Sequence, residues 1–497
     1  MRHGRRTEQH GQAAALPAPD LGDPARPAAA VRSVAPPVDR ARAQPDPGHG
    51  VSFRDATRAW ATVALNSFGG PAGQIAVMHR VVVEERNWFS EARFLHALNY
   101  CMLLPGPEAQ QLATYLGWLL HGVRGGLVAG GLFILPGFLA ILALSVAYAA
   151  FGDVTVVEAL FFGVKAAVMA IVASAVVRIG RRALASRALV AIAVASFVAI
   201  FFLDVAFPLI VLGAAATGYV LGRVRPGAVA SRSAHQAAEV EQRAAPAVRD
   251  DLGADAQPGL RRALVVLGTG LVAWGGPVAA LVLWLGGDSI YVQEARLFST
   301  AAVITFGGAY SVLPYIAQQA VQAYGWLAPG EMLDGLGMAE TTPGPLIQVV
   351  QFVGFMGAYR AAGGLDPIVA GIAGSVLTAW VTFVPCFVWI FLGAPYIERL
   401  RGNRHLSAAL SAITAAVVGV VLNLAVWFSL HTLFGRVDEV RWSVLRLYRP
   451  QWQTVDPAAA GLAAVAMYLI FRRRWSVMRT LGVCACAGAA LFVAQAA

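Results

Sequence analysis

Apolar runs long enough to cross a lipid bilayer recur through this chain, and that feature restricts the fold more than any other. GLVAGGLFILPGFLAILALSVAY (126–148) is one of them. A helix needs about 20 apolar residues to span a hydrocarbon core about 30 Å thick. Continuous spans are expected over 125–150, 155–178, 187–203 and 205–222, then 261–286, then 367–393, 405–432, 456–471 and 476–495. Backbone in hydrocarbon must satisfy its own hydrogen bonds, which leaves helices or a closed barrel. The ten-residue alternation of a barrel strand is not evident, so the expected fold is an all-α polytopic membrane protein. Composition agrees: 58% of the 497 residues are hydrophobic and 13% charged, against about 25% charged in a soluble domain.

The net charge of +10 is carried by arginines in the loops. The positive-inside rule accounts for them without nucleic acid. Residues 1–50 are rich in Arg, Pro and Ala and contain no apolar core of a leader; they are expected to be a disordered cytoplasmic tail. Cys101, Cys386, Cys484 and Cys486 all fall in apolar segments and are expected to be small buried side chains. His79, His96 and His121 are expected near span ends. There is no nucleophile motif, P-loop or H-E-x-x-H helix, so neither an enzyme nor an ATP-driven pump is expected. No metal or cofactor is expected either.

The chain repeats itself. Phe68-Gly69-Gly70 recurs as Phe306-Gly307-Gly308, Trp88 as Trp326, Pro105-Gly106-Pro107 as Pro343-Gly344-Pro345, and Gln110 as Gln348, all at an offset of 238. The offset then becomes 249, with Leu135-Pro136 echoed by Val384-Pro385 and Phe138 by Phe387. The expected organisation is a tail (1–50), a first repeat (51–222), a polar linker with one extra span (223–290) and a second repeat (291–497). One extra crossing turns the second copy upside down. Equivalent loops carry opposite charge bias: Arg80, Arg86 and Arg93 in 79–93 have no counterpart in 317–331, while Arg399, Arg401 and Arg404 correspond to a 151–154 loop with no positive charge. The N-terminus is then cytoplasmic. The loop with Arg436, Arg441, Arg446 and Arg449 runs against this orientation.

Each copy opens with two apolar stretches broken at the centre, 54–87 at FGGP and 90–121 at PGP in the first. Proline removes a backbone donor and glycine tolerates positive φ. Backbone freed in hydrocarbon costs several kcal/mol per group unless protein or a water-filled cavity satisfies it. Arms of 13–16 residues, roughly 20–24 Å as helix, suit re-entrant hairpins with tips at mid-membrane, in preference to full broken spans. Inverted repeats with broken helices belong to secondary transporters, and helix N-termini attract anions. The candidate binding residues are therefore Phe68, Gly69, Gly70, Gln74, Pro105, Gly106, Pro107, Gln110, Gln111, Phe306, Gly307, Gly308, Thr342, Pro343, Gly344, Pro345 and Gln348.

Lys165 joins them as the chain's single lysine, placed inside an apolar span. A charge there marks anion binding, with a structural ion pair and snorkelling as the alternatives. Glu108 and Glu340 flank the two PGP turns and are candidates to carry a coupling proton; Glu108 is also read as an ordinary first-turn helix acid.

FGGPAGQIAVMH (68–79), NYCMLLPGPEAQQLATYLG (99–117), GVKAAVMAIV (163–172), FGGAYSVLPYI (306–316) and TTPGPLIQVVQFVG (341–354) resemble the chromate ion transporter family in its long, two-domain form. The resemblance covers about 53–497. It implies chromate efflux across the bacterial inner membrane, conferring chromate resistance and driven by the proton-motive force. Sulfate is the competing oxyanion. A passive anion channel and a membrane scaffold are the alternatives, and a homodimer is compatible with each.

Overall fold

The computed structural model describes residues 50–68, 70–102, 104–151, 154–225, 259–306, 308–396 and 404–496. The expected tail up to residue 49, the linker over 226–258, Arg399, Arg401, and Gly69 and Gly307 of the candidate site lie outside them. The first repeat contains α1 (Phe53–Asn66), α2 (Gly70–His79), α3 (Glu91–Cys101), α4 (Glu108–Phe151), α5 (Thr155–Ala183), α6 (Arg187–Phe202) and α7 (Phe207–Val224). The extra span is α8 (Leu260–Leu285). The second repeat contains α9 (Ile290–Ile304), α10 (Leu313–Ala317), α11 (Pro329–Thr341), α12 (Val349–Arg360), α13 (Pro367–Gly393), α14 (Arg404–Leu433), α15 (Pro457–Met467) and α16 (Val477–Ala496). All nine expected spans are helical. Six of the described helices are long and apolar enough to cross a membrane. The chain is a polytopic helical membrane protein.

The broken stretches differ from the spans in the way their sequences demand. Helix α1 stops at Asn66 and α2 begins at Gly70; α3 stops at Cys101 and α4 begins at Glu108, straight after the PGP turn. Wide π-type turns extend α2 over Arg80–Glu85 and α10 over Gln318–Ala323, again 238 residues apart. Helix α4 is not straight. His121 and Gly122 leave helical geometry, with Gly122 at φ +62°, and the limbs 108–120 and 123–151 fold back on one another. Gly117 and Gly125 meet there so closely that neither has room for a side chain.

The second limb, 123–151, is about 43 Å long and sets the vertical scale. At its start, His121 Nε2 lies 3.0 Å from the Val51 carbonyl and its ring meets Phe53 edge-on. So α1 begins at that level. Near its far end, the Tyr148 hydroxyl donates to Asp334 Oδ2 of α11 at 2.9 Å. At that far level the Arg360 guanidinium, at the end of α12, donates to the Trp326 carbonyl at 2.6 Å and pairs with Glu331. Tyr291, at the start of α9, reaches the Ala370 carbonyl at 3.4 Å. Hence α9 and α11 start, α12 ends and the 324–328 turn lies at one level.

The two halves share cores rather than touching at a seam. Ile390, Phe391 and Ala394 of α13 pack into the cluster built by α1–α4, while Ile141 of α4 packs with the second-repeat cluster around Phe352 and Phe355. Helix α8 buries only Gly270, against Val388, and leaves Leu283 and Trp284 more than 80% exposed, as a lipid-facing helix does. Of the cysteines, Cys101, Cys386 and Cys484 are buried as expected; Cys486 is exposed, since its face of α16 points away from the core.

One element is not helical. Residues 437–450 form an antiparallel hairpin, β1 (Val437–Trp442) with β2 (Leu445–Pro450). It contains three of the four arginines that run against the expected orientation. Arg446 is buried (5% exposed) and donates to Asp204 Oδ1 at 2.6 Å and to the Ile200 carbonyl at 2.8 Å; Arg441 reaches Asp204 Oδ2 at 3.1 Å, and Gln318 also donates to Asp204. Two of the four are therefore tied to a structural carboxylate. Asp204→Ala leaves Arg446 buried without its counter-charge and is expected to cost about 2–4 kcal/mol of stability. Thermal unfolding in detergent should show this loss, and Arg446→Met in the same chain should recover most of it.

Candidate functional site

The four breaks meet. The Gly106 N–H donates to the Thr305 carbonyl at 2.7 Å, and the Gly344 N–H donates to the Ser67 carbonyl at 3.0 Å. The two bonds are equivalents under the repeat, since 344 − 106 and 305 − 67 both equal 238. Each second-break glycine of one half thus satisfies the end of the first broken helix of the other half. The packing follows the same rule. A methyl at Gly106 would sit 2.9 Å from Cys386 Sγ of α13, and one at Gly344 would sit 3.2 Å from Gly137 Cα of α4; 386 − 137 is the second offset, 249. Gly106 and Gly344 have φ of +129° and +98°, so glycine is required twice over, for backbone shape and for approach. Gly137 lies midway along the limb 123–151, which puts the meeting point about 21 Å from either end.

The glutamines do something other than expected. Gln74 Nε2 donates to the Gly344 carbonyl at 2.6 Å, Gln111 Nε2 to the Pro105 carbonyl at 2.7 Å, and Gln348 Nε2 to the Ile134 carbonyl at 2.8 Å; Gln110 Nε2 goes to Thr114 Oγ1 at 3.0 Å. These donors were expected to serve an oxyanion. In this structure two of them serve carbonyls of the PGP turns, Gly344 and Pro105, where the regular ladder is interrupted, and Gln348 ties its turn to the Ile134 carbonyl of α4. The Oε1 atoms of all four are buried without a partner. Thr342 likewise turns its hydroxyl back to the Ala339 carbonyl. Phe68 is partly exposed at the edge of the breaks, and Pro107 and Pro345 are buried beneath them.

Both expected carboxylates sit at the meeting point, each against the first break of the other half. Both oxygens of Glu108 lie 2.7 Å from where a Gly308 side chain would begin; Glu340 Oε2 and the Tyr310 hydroxyl lie 3.8 and 3.7 Å from the same point at Gly70. Glu340 accepts a hydrogen bond from Tyr310. Glu108 covers the first turn of α4, facing its own backbone N–H, and its Oε2 has no partner. Arg178 of α5 acts electrostatically on Tyr310 and Glu340.

Lys165 is not brought to the breaks. Its Nζ is 3.3 Å from Asp334 Oδ2, and Asp334 precedes the break at Thr342 by about 12 Å along α11. Asp334 and Tyr148 were missed by sequence reasoning. The signal for Asp334 was present, since MLDGLGMA (332–339) holds a single acid among small and apolar residues, the same kind of exception that singled out Lys165. Tyr148 carried no such signal.

Comparison with known proteins gives a consistent family. The family model described as "Chromate transporter" matches the chain twice, over 55–219 and 292–492. The chain is 34% identical over 361 residues to a chromate transport protein of Pseudomonas aeruginosa, covering 72% of this chain and 76% of that one. It is 28% identical over 362 residues to a chromate transport protein of Cupriavidus metallidurans, covering 71% and 77%. A probable chromate transport protein of Synechococcus elongatus is 27% identical over 393 residues, covering 77% and 86%. No solved structure matches the chain significantly.

Two glycine substitutions separate backbone shape from close approach. Gly122→Ala has open space around it but a backbone conformation, φ +62° with ψ −150°, that other residues hardly adopt, and is expected to cost about 1–3 kcal/mol for that alone. Gly106→Ala meets Cys386 and Gln111 as well and is expected to cost about 2–4 kcal/mol. Melting curves of the two purified variants in one detergent check the order.

Proposed function

The chain belongs to the chromate transporter family, and from that membership and the geometry of its breaks we propose that it is a secondary transporter of chromate, with the four breaks as the central site. The observation that carries this reading is the reciprocal pair of backbone bonds, Gly106 to Thr305 and Gly344 to Ser67. Such a pairing, in which position i of one half meets position j of the other and the reverse, is that of a two-fold relation. The relation runs between opposite faces. The first half is entered at the level of His121 and the second at the level of Tyr148, on opposite ends of one membrane-length limb. The contacts of Trp326 with Arg360 support re-entrant hairpins in the second half. Inverted halves joined at mid-depth can rock about their shared core and open the site to either face in turn.

The site takes a tetrahedral dianion through what the breaks leave unpaired. The first-turn N–H groups of α4 lack intrahelical partners by geometry, and the positive end of that helix's dipole lies at mid-depth. Arg178 adds a fixed charge within electrostatic reach of Glu340. Two ionised carboxylates and a dianion do not share a dry site, so Glu108 and Glu340 take up protons as the anion enters. The membrane potential, negative inside, drives a dianion outward with about 2.3 kcal/mol per charge per 100 mV. That field favours efflux of the anion's own charge, and each proton carried out with it cancels one charge of the drive.

Everted membrane vesicles carrying the chain are expected to accumulate labelled chromate saturably, with counterflow, with inhibition by sulfate, and with a dependence on an imposed pH gradient. Flux without counterflow would replace the transporter by a channel, and no flux would leave only a scaffold. Glu340→Gln and Glu108→Gln are each expected to abolish the effect of the pH gradient while the protein still inserts.

A further inference from the structure

The best-defined charged cluster inside the membrane region lies outside the breaks. Lys165 of α5, Asp334 of α11 and Tyr148 of α4 come from three helices and both repeats. Lys165 Nζ and the Tyr148 hydroxyl both contact Asp334 Oδ2, at 3.3 and 2.9 Å, while Oδ1 is buried with no partner. The exposures differ sharply: the Asp334 side chain is 2% exposed and that of Lys165 29%. The ammonium is reachable and its carboxylate is sealed. Gly330 lies beside it, 3.2 Å from Nζ to where a methyl would begin, so the approach to the ammonium is kept clear of a side chain. The rest of the chain uses arginine for positive charge. Lysine differs in being a compact point charge that can leave a partner without breaking a planar fork of bonds.

We propose that Lys165, Asp334 and Tyr148 form a second oxyanion subsite, between the breaks and the face at which α11 begins, that opens when Asp334 is protonated. With Asp334 ionised, its carboxylate occupies the ammonium and the phenol. A proton on Asp334 removes the charge that holds both. Lys165 then presents a full positive charge, and Tyr148 a hydroxyl donor, to an anion arriving from or leaving toward that face. The groups acting on Asp334 are Lys165 from α5, Tyr148 from α4 and Glu331 one turn back on α11; Glu331 is itself held by Arg360 of α12 at 2.5 and 2.9 Å. Helices α14 and α16 also pack on α11 and contribute none of these groups.

The proposal rests on the oxyanion-transport reading and adds a linkage to it. If the anion and the Asp334 carboxylate compete for one ammonium, anion binding must raise proton binding at Asp334, and protons must tighten anion binding by the same factor. The subsite exists in the second repeat's α11 alone, because the position equivalent to Asp334 in the first repeat is His96 (334 − 238).

The test uses the purified full-length protein in detergent, with labelled chromate in equilibrium dialysis over the neutral to alkaline range, and the same preparations in proteoliposomes. Wild-type affinity is expected to weaken as pH rises. Asp334→Asn, nearly the same in shape, should bind at least as tightly as wild type at its best pH and should show a shallower slope, by the share of about one proton, keeping only what Glu108 and Glu340 contribute. Lys165→Met should bind about tenfold more weakly or worse, with the same shallower slope, and Lys165→Arg should restore both affinity and slope in part. Proton uptake on chromate addition, read in weak buffer, should be larger for wild type than for Asp334→Asn by about one proton per anion. A wild-type slope in Asp334→Asn, or unchanged binding in Lys165→Met, overturns the subsite and leaves an ion pair that only holds the halves together. Should Asp334→Asn fail to fold, the two Lys165 variants decide on their own. Wild-type protein that neither binds nor moves chromate overturns the transport reading itself. Chromate that is moved, with equal proton uptake in wild type and Asp334→Asn, overturns this proposal alone.

Discussion

Everything in this fold depends on how four interrupted helices find hydrogen bonds at the centre of a bilayer. A regular helix brings its own partners into hydrocarbon; a Gly-Pro break does not. The freed groups here are met from two sources. The opposite half supplies carbonyls to the Gly106 and Gly344 N–H groups, and buried glutamines supply donors to the carbonyls of Pro105 and Gly344. Neither half could be stable alone at its breaks, because each takes its partners from the other.

That mutual dependence shapes the packing around it. The PGP turns approach α4 and α13 so closely that Gly137 has no room for a side chain beside Gln348 and the Pro343 carbonyl. The spanning helices of one half end up in the core of the other, with Phe391 of α13 among α1–α4 and Ile141 of α4 among the second-half residues. The two halves are therefore interlocked.

Charge is distributed around this centre with economy. Carboxylates sit at the breaks, Arg178 and Lys165 lie at separate levels of α5, and Lys165 pairs with Asp334 of α11. On the outer surface of the bundle the Asp204 cluster works the other way. It ties Arg441 and Arg446 to the loop between α6 and α7, and so uses charge to clasp the two halves.

The sequence by itself determined the membrane class, the helical nature of the nine apolar stretches, six of them long enough to cross a membrane, and the positions of the breaks, because apolar length and Gly-Pro punctuation are local properties that a bilayer reads directly. It also singled out Lys165, Glu108 and Glu340, since a charge in an apolar run is an exception wherever it occurs. Only the tertiary structure decided what these groups face. The partner of Lys165 is on a helix 169 residues away in the chain (334 − 165), and the glutamines look like substrate ligands until the carbonyls beside the prolines are placed next to them. The β-hairpin was illegible for a similar reason: its sequence is polar and short, and what holds it is a buried arginine reaching back to Asp204. Local composition specifies where a backbone needs help; the fold alone specifies which residue, from which half, provides it.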